Sequence, residues 1–113
     1  MSIFWICSYV HQGEIGVLLE MSTLTKQSHH KTDFLNLSND IAMHIAASEP
    51  RNVSELLSQP FLKDPDSTVV ERLNSLSTEL KDSISISRFI RWNQGAGGIS
   101  PNSGDDPAVA INL

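Results

Sequence analysis

At 113 residues, 40% hydrophobic and a formal charge of -5, the chain describes one modest acidic domain and leaves no room for two. A chain of this size buries roughly two thirds of its unfolded surface, enough for a core without staples. Its eight Lys and Arg are scattered, which excludes the clustered cations of a nucleic-acid surface. The single cysteine, Cys7, excludes an internal disulfide and reads as a buried thiol among apolar neighbours.

Met1 to Val10 is apolar but short and carries no Lys or Arg. It reads as a strand, lacking the basic region of a secretory signal and the Arg-rich amphipathic pattern of a transit peptide. No apolar run approaches the roughly 20 residues that span a bilayer. The expectation is a cytoplasmic chain that meets no membrane, with a mitochondrial or plastid location as the alternative.

Ile3 to Val10 and Glu14 to Met21 are two apolar, β-rich runs separated by His11-Gln12-Gly13, a hairpin signal in which glycine supplies positive φ. In the second run Ile15, Val17, Leu19 and Met21 alternate with Glu14, Gly16, Leu18 and Glu20, so one face seeks a core. Residues 22–31 are polar and without period, a loop. Phe34, Leu37, Ile41, Ile45 and Ser48 then fall at helical spacing, with Thr32 or Asp33 placed to cap the first turn and Pro50 to end the helix.

Val53 to Ser58 predicts one helical turn, and Pro60 forces Gln59 into an extended conformation. Lys63-Asp64-Pro65-Asp66 reads as a turn. Thr68-Val69-Val70-Glu71 fits a capping box, followed by a buried stripe of Val69, Leu73, Leu76 and Leu80. Ile84, Ile86, Ile90 and Trp92 alternate with Ser85, Ser87, Phe89 and Arg91 as a third strand. The elements fall in the order β-β-α-α-β, an α+β layer with helices on one face of a sheet, over a domain of residues 1–93. Residues 94–113, rich in Gly, Pro, Ser, Asn and Asp, are expected to be a disordered tail.

No enzyme is legible. There is no Gly-x-Ser-x-Gly elbow and no glycine-rich loop between a strand and a helix. Adjacent His29 and His30 lack the separated partners of a zinc site, and His44 borders the apolar stripe of its helix. A metal-dependent hydrolase built on His11, His29 and His44 is the remaining catalytic alternative, and metal content would test it. No catalytic residue, metal or cofactor is expected.

Four ordered blocks resemble a known family. Ser8-Tyr9-Val10-His11 with Gly13 and then Ile15 to Glu20 form the first, and Asp40 to Pro50 the second. Leu56 to Asp64 with Thr68-Val69, and Ile84 to Trp92, are the third and fourth. Together they resemble the dimerisation domain of elongation factor Ts, the guanine-nucleotide exchange factor for elongation factor Tu. The resemblance implies a small three-stranded antiparallel sheet packed by helices and a partner-binding surface at the Tyr9, His11 and Gly13 turn. For His11 a solvated turn residue is the equal alternative.

In that family a Thr-Asp-Phe tip after the second strand wedges into the GTPase. The ungapped register places it at Thr25-Lys26-Gln27, where the Asp and Phe are replaced. A second Thr-Asp-Phe string, Thr32-Asp33-Phe34, fits either a displaced tip or a helix start with a core Phe. Arg88 and Arg91 stand where the family also carries basic residues, as partner contacts or as pairs for Glu14 or Glu20. The family's long helical hairpin is reduced to a few residues between Pro50 and Leu56, and its N-terminal helical domain has no counterpart in the sequence.

Two expectations follow. One is a translation accessory protein binding elongation factor Tu and promoting GDP release. The other is a truncated Ts lobe that self-associates as a homodimer through an uncovered face and has no exchange activity.

Overall fold

In a computed structural model, which describes residues 1–95, the two apolar runs pair as β1 (Ile3–His11) and β2 (Ile15–Thr23). The expected tail lies, from residue 96 onward, outside the described residues. A final strand, β5 (Ser85–Asn93), joins the free edge of β2 to give an antiparallel sheet of order β1-β2-β5. The alternation in β2 does what its period requires: Val17, Leu19 and Met21 are buried, and Leu18 faces out. Across the first ladder Tyr9 stands opposite Val17, Cys7 opposite Leu19 and Trp5 opposite Met21, so these six share the inner face. Cys7 is half-buried there, and burial raises its thiol pKa above the ordinary value.

Two helices cover that face. α1 (Thr32–Ser48) buries Phe34, Leu37, Ile41, Ala42, Ile45 and Ala46, and α3 (Val69–Leu80) buries Val69, Leu73 and Leu76. These close one continuous core with Val17, Leu19, Met21, Ile86 and Phe89. Lys31 is the N-cap of α1, with no side-chain bond, so Thr32 and Asp33 lie inside the first turn rather than capping it. The helix ends in left-handed Glu49 (φ 49°), whose N–H donates to Ile45 C=O, and Pro50 follows. A short α2 (Val53–Ser58) starts on Asn52, whose Oδ1 accepts the Glu55 N–H at 2.8 Å.

The expected capping box is in place. Glu71 N–H donates to Thr68 Oγ1 at 3.2 Å, and Thr68 N–H donates to Glu71 Oε1 at 2.7 Å. Thr68→Ala is expected to cost about 1 kcal/mol, read as a fall of about 5 °C in the thermal midpoint. An unchanged midpoint would show that the box adds nothing to α3.

Two sequence expectations are corrected. The turn expected at residues 63–66 is shorter and begins one residue earlier, at Leu62 and Lys63: β3 (Pro60–Phe61) pairs with β4 (Asp64–Thr68), so Asp64 to Asp66 are strand. The second concerns the alternation of β5. Glu20 stands opposite Arg88 but Met21 stands opposite Ile86, so Ser87 is an extra residue and the side-chain phase reverses there. Ile86 faces the core before the shift and Phe89 and Arg91 face it after. Ile90 and Trp92 therefore turn to the outer face.

Candidate partner-binding surface

The β1–β2 turn carries the first group of candidate site residues. Gln12 (φ 53°) and Gly13 (φ 71°) are both left-handed, and Glu14 N–H donates back to His11 C=O at 2.9 Å. Glycine adopts this backbone freely, while Gln12 does so at some conformational cost. Tyr9 and His11 are two residues apart and so share a face. Their Oη and Nδ1 lie 2.8 Å apart, with His11 exposed. An open groove of about 360 Å³ runs beside them, lined by Tyr9, His11, Ile15, Met43, Ala46, Ala47, Leu62 and Arg91.

Arg91 forms the floor of this groove rather than its rim, being only 5% exposed. Its Nε and Nη2 donate to Ala46 C=O at 3.1 and 2.9 Å, and Nη1 lies 3.3 Å from Glu49 Oε1. A guanidinium at the end of α1 satisfies a carbonyl with no intrahelical partner and complements the helix dipole. Its carboxylate partner is Glu49, not Glu14 or Glu20 as the sequence suggested. Arg88 does pair with Glu20, Nε to Oε1 at 3.3 Å, on the opposite face of the sheet.

The second group lies at the far end of β2. Eight residue steps of about 3.4 Å separate Ile15 from Thr23, so the two groups stand about 27 Å apart. Thr25, Lys26 and Gln27 enter a 3-10 turn spanning Lys26–His30, and all three are exposed. Thr23 Oγ1 donates to Thr25 C=O at 2.8 Å and lies 2.9 Å from His29 Nε2. Since the hydroxyl has one proton, His29 Nε2–H is the donor in that second bond. The His29 ring is buried between Trp5 (5.4 Å) and Phe34 (5.1 Å).

Phe34 is fully buried, in the helix-start core position that the sequence offered as one of two alternatives. Asp33 is exposed and faces Glu79 of α3. Hydrogen bonding to Asp33 and its charge raise the Glu79 carboxyl above its ordinary range. The three histidines of the catalytic alternative are dispersed. His11 is at the hairpin and His29 at the far end of the sheet. His44 is tied to the β3 region, Nε2 to Gln59 Oε1 at 2.8 Å and Nδ1 accepting Leu62 N–H at 3.0 Å. Among the described residues no three His, Cys, Asp or Glu are arranged to hold a metal ion. Also among the described residues, no helix is long and apolar enough to cross a membrane.

The family description "Elongation factor TS" matches residues 4–56 of the chain. Elongation factor Ts of Acetivibrio thermocellus is 32% identical over 136 positions, which take in 80% of this chain and 63% of the relative. Over about four fifths of its length the chain is thus similar to elongation factor Ts. Ts of Alkaliphilus oremlandii is 29% identical over 135 positions, covering 80% of this chain and 62% of that relative. The chain thus spans just under two thirds of the length of these two Ts proteins. Eighty per cent of 113 residues is about 90, so about 46 of the 136 positions shared with the first have no counterpart here. Ts of Trichlorobacter lovleyi is 29% identical over 87 positions, 77% of this chain and 28% of the relative, and is matched almost without gaps.

Sequence reasoning missed one residue that organises the Thr25–Gln27 end. Asp82, in the α3–β5 connection, accepts Leu24 N–H at 2.8 Å and Ser83 N–H at 2.6 Å through Oδ1. Its Oδ2 accepts Ser28 Oγ–H at 2.6 Å, Thr25 Oγ1–H at 2.9 Å and Thr25 N–H at 3.3 Å. Only its bond to Ser83 is local, and a single acidic residue after a helix gives no other signal. Burial acts to raise the Asp82 pKa, but the Ser28, Leu24, Thr25 and Ser83 donors outweigh it and hold the carboxyl at about 2.

These two groups set an acid response. Burial, the leading cause, lowers the His29 pKa below 6.5, so the unfolded chain takes up its proton first as pH falls through 6.5 and stability declines. Between 3.8 and about 2 the unfolded chain likewise protonates Asp82 first, and stability declines again. Urea midpoints from pH 8 to pH 3 are expected to fall in these two windows, and the upper decline is expected to vanish in His29→Gln. A midpoint that rises on acidification through 6.5 would contradict this assignment.

Proposed function

We propose that this chain is a translation accessory protein of the cytoplasm that binds elongation factor Tu as a compact Ts lobe and promotes GDP release weakly. The observation that carries the reading is the Tyr9–His11 pair, half-buried Tyr9 bonded to exposed His11 beside an open groove, in a turn whose residues resemble the family's contact turn. Tyr9, His11 and Gly13 offer the partner a preformed surface, and Thr25, Lys26 and Gln27 are presented at the other end.

A factor accelerates nucleotide release only by binding the empty GTPase better than the loaded one. The family's Asp-Phe tip supplies that difference with an anion and an apolar ring. Lys26 reverses the charge and Gln27 lacks the ring, so binding is retained and acceleration is small. Stopped-flow release of a fluorescent GDP from elongation factor Tu, with a pull-down of nucleotide-free Tu, tests both parts. Capture with slight acceleration is the expected result. Absence of capture removes the reading.

The outer sheet face favours a second reading, a homodimer without exchange activity. Phe4, Ile6, Val10, Leu18 and Trp92 are exposed there, and Ile90 lies between them on the same face.

A further inference from the structure

We propose that Asp82 is the positioning residue of the exchange tip, fixing Leu24 to Ser28 from across the fold so that Lys26 and Gln27 are presented in one conformation. The inference rests on the assignment of Thr25, Lys26 and Gln27 as the tip.

Thr23 and buried His29 hold the two ends of the tip segment, and between them Thr25 Oγ1 lies 3.3 Å from Ser28 Oγ. The 3-10 turn of the tip is five residues long, has no side-chain cap at Thr25 and no acidic residue in its first turn. Such a turn is marginal alone, since ordering its residues yields few hydrogen bonds. The missing acceptor arrives from 54 to 58 residues away in sequence, where Asp82 takes four bonds from Leu24, Thr25 and Ser28. A carboxylate accepting several N–H and O–H donors makes the stronger, charge-assisted kind of bond.

These bonds serve the tip rather than the core. On either side of Asp82, Leu76, Ile84 and Ile86 are buried in the core cluster and anchor α3 and β5 without its help. Apart from its bond to Ser83, every bond to Asp82 comes from the tip segment. Removing the carboxylate therefore loosens Leu24 to Ser28 and leaves buried His29, the sheet and the helices in place. An ordered tip meets the GTPase without first losing conformational freedom, and a freed one must lose it in the complex.

The test compares Asp82→Asn with Glu71→Ala, which weakens α3 through its capping box and does not touch the tip. The asparagine side chain is the same size as the aspartate it replaces, but its amide nitrogen cannot accept from Thr25 or Ser28. Affinity for nucleotide-free elongation factor Tu is expected to fall about tenfold in Asp82→Asn and to stay at the wild-type level in Glu71→Ala, the slight acceleration of GDP release falling with it. Equal losses in both variants would mean general destabilisation and would overturn the proposal. Amide hydrogen exchange on the free protein is the second arm. Thr25 N–H should exchange at least about tenfold faster in Asp82→Asn, with Leu19 and Met21 unchanged. If the wild-type chain does not accelerate release, the exchange reading fails by itself. The Thr25 amide then decides the positioning role: lost protection supports it and retained protection overturns it.

Discussion

Phe34→Ala is expected to lower the unfolding free energy by about 4 kcal/mol, as for a large aromatic side chain removed from a filled core. Phe34 has no exposed surface, lies in the first turn of α1, and joins the cluster that includes Leu19, Met21, Ile41 and Phe89. Small domains have only about 5–15 kcal/mol to lose, so a chemical-denaturation midpoint would fall far. The aromatic pairing of His29 with Phe34 at 5.1 Å would go as well, loosening the Lys26–His30 turn. Phe34→Leu keeps most of the volume and should cost about 1.5 kcal/mol or less. A displaced exchange tip predicts the reverse pattern, with unchanged stability and lost partner contact. A midpoint for Phe34→Ala within error of wild type would restore that alternative.

The fold was legible where a local rule decides the outcome. The capping box needs only Thr68 and Glu71 three residues apart. The alternation of Val17, Leu19 and Met21 survives because β2 is the central strand, paired on both sides. What was not legible depends on distant partners. The extra residue Ser87 in β5 is defined by which residues of β2 stand opposite it, and strict alternation misassigned Ile90 and Trp92 as a result. The β3–β4 pair is a two-residue strand meeting a segment that contains Pro65 and two Asp, a composition that reads as turn.

The site divides in the same way. Tyr9 and His11 could be paired from spacing, since residues two apart on a strand share a face. Arg91 looked like a surface cation because sequence cannot show that its guanidinium closes the end of α1, 45 residues away. His29 sat in a loop without period, and only Trp5 and Phe34 closing on its ring make it interior. Asp82 was invisible for a similar reason, as four of its five donors lie more than 50 residues earlier.

Leu18→Glu is expected to abolish self-association if the outer sheet face is a dimer interface. Leu18 lies near the middle of the central strand, opposite Ser8 on β1 and Ile90 on β5. Around it Phe4, Ile6, Val10 and Trp92 are between 38% and 65% exposed, whereas antiparallel sheets that face water usually turn polar residues outward. The Glu20–Arg88 pair and the Ser22–Ser85 hydroxyl pair at 2.7 Å are polar contacts on that face. Three strands about 4.8 Å apart and nine residues long present about 400 Å² in plan. That is modest for an interface, so the dimer should form at micromolar concentration and dissociate on dilution. Two-fold symmetry would bring the introduced carboxylates of both copies close together near the centre. Burying that pair should weaken association by about 100-fold or more. The fold should survive, because Leu18 is half exposed and outside the core cluster. Sedimentation of wild type and variant at about 50 micromolar decides the matter, a concentration at which a micromolar dimer is mostly assembled. A monomeric wild type would remove the homodimer. The apolar face would then be open to a different partner, and the same variant in the elongation factor Tu pull-down would show whether that GTPase covers it.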